Sequence, residues 1–118
     1  MKFIRLAEIA IARSGDKGAS ANIGVIARTP RAYEFLRESL PPAKVQAYFA
    51  PMGVGTVIRY ELPNVGALNF ILPNILDGGG SVSMRIDAQG KALGQILLEM
   101  MIDVSDDLLP QLLPTGNT

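Results

Sequence analysis

The sequence predicts an α+β fold: a mainly antiparallel sheet of four to five short strands with helices packed on one face. Three observations predict it. Apolar residues alternate with a period of two at residues 23–27, 56–62 and 82–87. Residues 32–40 and 93–101 instead carry apolar residues at helical spacing. The two kinds of run alternate along the chain, with Gly and Pro between them.

Residues 3–13 read as the first strand. Ile4 and Leu6 share one face and Ile9 and Ile11 the other, so a bulge is expected near Ala7 and Glu8, or burial on both faces. Residues 14–21 read as a polar, glycine-containing loop, and residues 22–28 as a strand with Ile23, Val25 and Ala27 together. Thr29-Pro30 is a helix start, a capping hydroxyl followed by a proline that needs no donor. Ala32, Phe35, Leu36 and Leu40 form one face of that helix. Pro41-Pro42 ends it and opens a second, with Val45, Tyr48 and Phe49 at helical spacing up to Pro51.

Residues 56–62 read as a half-buried strand, with Ile58, Tyr60 and Leu62 on one face and Val57, Arg59 and Glu61 on the other. Asn64 is expected to cap a short helix bearing Val65, Leu68 and Leu72, ended or kinked by Pro73. Residues 77–80 form a loop, and residues 82–87 a strand bearing Arg85 and Asp87 on its polar face. A turn at Gln89-Gly90 leads to a helix with Leu93, Ile96, Leu97, Met100 and Met101, then a last strand at residues 102–104. The order strand, helix, strand, helix, strand fits a ferredoxin-like sandwich better than a doubly wound sheet. Residues 1–104 are expected to form a single domain, and residues 105–118 a C-terminal tail.

Composition narrows the chemistry. The 11 basic and 11 acidic residues balance, so no general drive towards nucleic acid or an acidic membrane surface is expected. The chain has no cysteine and no histidine, which removes thiolate nucleophiles, disulfides, His-containing triads and His- or Cys-ligated zinc. No Asp-rich loop has calcium-binding spacing, so neither a metal nor a cofactor is expected. No apolar run is long enough to span a bilayer and the N-terminus lacks a cleavable signal pattern, so a cytoplasmic location is expected.

The polar stretch "ARSGDKGASANIGVIAR" holds the densest set of candidate residues. Gly15 and Gly18 permit backbone conformations that aim successive N–H groups at an anion, with Lys17 adding charge and Ser14 and Asn22 adding hydrogen bonds. The same residues also suit a plain turn in which Ser14 and Asp16 bond their own backbone. Ser14-Gly-Asp-Lys17 spells the S-x-x-K of serine acyl-enzymes, but the K-T-G element is absent and the chain is too short for that fold. Arg59 and Arg85 could hold a carboxylate or phosphate between two strands, or pair on a solvated face with Glu61 and Asp87. Asn64 and Asn69 complete the candidates.

Three stretches, "ARSGDKGASANIGVIAR", "RYELPNVGALNFIL" and "SMRIDAQGKALGQILL", resemble the small ferredoxin-like domain of acyclic terpene utilisation (AtuA-like) proteins. The resemblance runs from about Ile9 to Leu98. It marks Ser14, Gly15, Asp16, Lys17, Gly18, Asn22 and Gly24 in the first stretch. It marks residues 61–64 and 67–70 in the second, and Arg85, Asp87, Gly90 and Lys91 in the third. Pro73 departs from the helix that the resemblance implies. The family is linked with bacterial breakdown of acyclic terpenes and branched-chain acids through CoA thioesters.

What the resemblance implies is a small accessory subunit that completes a site with a separate large AtuA-type subunit and supplies Lys17 and Asn22 to it. A homo-oligomer and an anionic small molecule such as a CoA thioester are further expected partners. One alternative is an independent hydratase or isomerase in which Asp16 is the acid/base, Lys17 the anion clamp and the loop N–H groups stabilise an enolate. The other is a ligand-binding module without catalysis.

Overall fold

A computed structural model describes residues 1–75 and 90–114 of the protein. The expected strand at 82–87, the loop at 77–80 and Arg85 with Asp87 lie outside the described residues.

Among the described residues the main sheet has four antiparallel strands in the order β2 (Ala10–Lys17), β3 (Ser20–Ala27), β5 (Ala67–Leu72) and β4 (Ile58–Leu62). A separate two-stranded ribbon pairs β1 (Lys2–Arg5) with β6 (Met101–Val104). Helices α1 (Pro30–Ser39) and α2 (Pro42–Phe49) follow the expected patterns. α3 (Gly90–Leu98) stops before Met100 and Met101, both expected on its apolar face, and Met101 is instead the exposed first residue of β6. A last turn, α4 (Leu109–Leu112), lies against α1. The fold is α+β and ferredoxin-like, with the core between the helices and one face of the main sheet.

The first expected strand is two strands in two sheets. Between them Leu6–Glu8 makes a 3-10 turn. Residues three apart stack in such a turn, so Leu6 and Ile9 both enter the core with no exposed surface. The phase change in the apolar pattern is therefore a change of sheet, not a bulge.

The expected loop at 14–21 is a tight hairpin. β2 and β3 pair without a break from Ala10↔Ala27 to Lys17↔Ser20, leaving Gly18 and Ala19 as the turn. Gly18 has φ +62° and Ala19 a negative φ, the order of a type II′ turn, in which glycine relieves the steric cost at the first position. In a strand successive N–H groups point to opposite sides, so residues 14–17 do not gather them around one anion.

The expected helix after Asn64 is also a strand. Pro63–Val65 forms a 3-10 turn closed by Gly66 at φ +65°, and β5 then enters the middle of the sheet. Leu68, Phe70 and Leu72 alternate as well as they match a helix, and pairing with strands on both sides decides between the two readings. Pro73 falls just past the end of β5, where no ladder bond needs its missing donor.

β4 has its faces reversed. Val57 is buried and Arg59 turns towards the helices, while Ile58, Tyr60 and Leu62 stand 46%, 52% and 44% exposed on the opposite face. α3 crosses β2 closely at Gly94, where a Cβ would come within 3.2 Å of the Ser14 Oγ and 3.3 Å of the Ala12 Cβ. α2 is tied to α3 by the Tyr48 hydroxyl, which donates to the Ile96 carbonyl at 2.7 Å. Residues 105–114 pack back on the body: Leu112 is fully buried, and its carbonyl accepts from the Thr29 hydroxyl at 3.0 Å.

Candidate functional site

The register of the main sheet divides the sequence candidates between two faces. Alternation places Ile11, Arg13 and Gly15 of β2 on the face of the main sheet that no helix covers among the described residues, the open face, beside Ile26, Gly24 and Asn22 of β3. Ala67, Asn69 and Ile71 of β5 and Leu62, Tyr60 and Ile58 of β4 continue the same three rows. On this face the Asn22 amide donates to the Asn69 Oδ1 at 3.1 Å. A Cβ on Gly15 would lie 3.1 Å from the Asn22 Oδ1, so glycine leaves the room in which the Asn22 side chain lies. Gly15, Asn22 and Asn69 are thus brought together, across three strands and from two separate motifs.

The other candidates are dispersed. Ser14 faces the helices, and its Oγ accepts from the Gly94 N–H at 3.2 Å, which seats α3 on β2. Asp16 is exposed opposite Ala21, Lys17 is the last residue of β2, and Gly18 forms the turn. Arg59 is held by its own fold. Its guanidinium donates to the carbonyls of Arg37 and Leu40 at 2.8 and 2.9 Å and to the Glu61 carboxylate at 2.8 Å. It therefore caps the C-terminal end of α1, where the helix leaves carbonyls unpaired and the macrodipole is negative.

Asn64 lines a different feature, a solvent-facing cleft of about 650 Å³ between the start of α1 and the Pro63–Val65 turn. Its walls include Arg28, Tyr33, Glu34, Arg37, Glu61 and Asn64. Tyr33 is only 8% exposed, and its hydroxyl has no hydrogen-bond partner among the described residues. A buried hydroxyl left this way costs about 1–3 kcal/mol. Arg28, Glu34, Arg37, Glu61 and Asn64 are exposed at the rim. Sequence reasoning missed Tyr33, Glu34 and Arg37, because on a helix read for its apolar face they carry no motif. The spacing of Tyr33 and Arg37, four residues apart, was the available signal, since it puts both on one side of α1.

Among the described residues no group of three or more carboxylates is placed to hold a metal ion. No helix among them is long and apolar enough to cross a membrane.

An open-faced antiparallel sheet backed by helices, with motif residues gathered on it, defines the class: a ferredoxin-like α+β domain. The chain matches the family model of the AtuA ferredoxin-like domain over residues 4–103, and it belongs to that family. No curated protein and no solved structure matches it.

Proposed function

We propose that this domain is a small accessory module of an AtuA-like system, which binds a larger AtuA-type partner and completes a site with it. Its setting is the breakdown of acyclic terpenes or branched-chain acids as CoA thioesters. The observation that carries this reading is the cleft between α1 and the Pro63–Val65 turn. Its volume falls in the range of small-molecule sites, about 300–1,000 Å³. Two guanidinium groups, Arg28 and Arg37, suit the phosphates of a CoA thioester.

In this reading the cleft binds while the partner reacts, and two of the cleft's polar groups are committed to the fold. Its Glu61 carboxylate is engaged by Arg59, and its Thr29 hydroxyl caps α1 and donates to Leu112. The reacting groups then come from the partner. The residues of the turn, Pro63 and Asn64, sit within a stretch that carries the family resemblance. With residues 14–17 in a paired strand, the oxyanion cradle required by an independent hydratase has no geometry to support it.

The test is co-expression of the tagged chain with an AtuA-type large chain from the same organism, beside the Arg37→Glu variant. A stoichiometric complex is expected, with acyl-CoA binding measured by calorimetry weakened at least about tenfold by the charge reversal. A large chain that binds acyl-CoA equally well with and without this domain refutes the reading.

A further inference from the structure

We infer that the open face of the main sheet is an interface with a second copy of this chain, related by a two-fold axis running along the strands between β3 and β5. The face is a grid of four strands and three rows: Ile11, Ile26, Ala67, Leu62; then Arg13, Gly24, Asn69, Tyr60; then Gly15, Asn22, Ile71, Ile58. Ile11, Ile58, Tyr60 and Leu62 are all exposed along its two edges.

Rotation about that axis lays β2 of each copy over β4 of the other, and β3 over β5, with each row kept over itself. Ile11 then meets the second copy's Leu62, Arg13 its Tyr60 and Gly15 its Ile58. In the centre Ile26 meets Ala67, Gly24 meets Asn69 and Asn22 meets Ile71. Most large side chains fall on small ones or on other apolar ones; Asn22, whose amide is already bonded to Asn69, falls on Ile71. The cation of Arg13 falls on an aromatic ring, a favourable pairing when water is excluded. The Arg13–Tyr60 row is the central one, on which the roughly 30° crossing of two aligned sheets would pivot.

A surface that matches itself residue by residue is what a two-fold interface requires. A rotation about an axis across the strands instead sets Arg13 against Arg13, which disfavours it. The three rows contain no carboxylate, so they offer no complement to a basic partner; Glu61 turns the other way.

The size is adequate for a reversible dimer. Four strands about 4.8 Å apart and three rows about 6.8 Å apart cover roughly 400 Å², or about 600 Å² of accessible surface per copy once relief is included. The total of about 1,200 Å² stands at the lower end of stable interfaces and implies concentration-dependent association. The dimer leaves the α1 cleft on the outside, so it goes beyond the accessory-module reading without depending on it.

The experiment is sedimentation equilibrium of the full chain over a wide concentration range, with circular dichroism to confirm folding. Wild type is expected to show monomer–dimer equilibrium. Tyr60→Lys sets a second cation against Arg13 and should weaken the dimer at least about tenfold. Adding Arg13→Glu to Tyr60→Lys restores opposite charges across the interface and should return most of the affinity. Wild type that stays monomeric, a Tyr60→Lys variant that dimerises as well as wild type, or a double variant no tighter than the single one overturns the inference. The face mutations should leave acyl-CoA binding by the complex unchanged, whereas Arg37→Glu should leave the dimer unchanged, so the two readings fail separately.

Discussion

Replacing Arg59 by Met keeps an unbranched stem of similar length and removes the guanidinium. The side chain is 13% exposed, and its two backbone bonds, at 2.8 and 2.9 Å, end α1. A hydrogen bond with a charged partner contributes about 1.5–3 kcal/mol. The Arg37 bond is exposed and water can replace it, so it contributes only about 0.5 kcal/mol, while the part-buried Leu40 bond keeps the lower end of the range, about 1.5 kcal/mol, or about 2 kcal/mol for the pair. The Glu61 partner is 44% exposed and adds only about 0.5 kcal/mol. The loss of about 2.5 kcal/mol corresponds to a fall in Tm of about 10 °C for a domain of this size. Thermal and urea unfolding followed by circular dichroism measure it. Arg59→Lys retains the charge without the fork and should cost about half as much. A loss below about 0.5 kcal/mol for Arg59→Met, the level of ordinary surface substitutions, would refute the capping role.

Three further outcomes are expected. Gly94→Ala brings a methyl against Ser14 and Ala12; overpacking should exceed the helix-propensity gain of about 1 kcal/mol, for a net loss of about 1–2 kcal/mol in urea unfolding. Thr29→Ala removes both the cap on the Ala32 N–H and the bond to the Leu112 carbonyl; it should cost about 1–2 kcal/mol and make the segment around α4 more susceptible to limited proteolysis than wild type. Burial, and secondarily the charge of Glu99, raises the Tyr48 pKa above its usual 10.0. The unfolded chain then releases this proton first, so the contribution is full below about pH 10 and is lost as pH rises through the folded pKa. Tyr48→Phe should flatten that alkaline loss of stability, and an unchanged slope would contradict it.

The sequence by itself determined the elements whose signals are local. Thr29-Pro30 starts α1 with the expected hydroxyl cap, Pro41-Pro42 separates α1 from α2, and the apolar positions of residues 93–97 set the buried side of α3. The α+β class follows from these and from period-two alternation, and the motifs carried the family. Tertiary structure decided whatever depends on a distant partner. Residues 67–72 suit a helix or a strand, and flanking strands β3 and β4 made them a strand. Residues 14–17 look like a loop until β3 pairs with them, and Asn22 meets Asn69 only through that pairing. The direction of β4 was equally hidden. Alternation shows that Arg59 and Tyr60 face opposite ways, but only the packing of α1 turns Arg59 inward: the helix end supplies the carbonyls that compensate a largely enclosed charge, and an apolar strand face is left in the open.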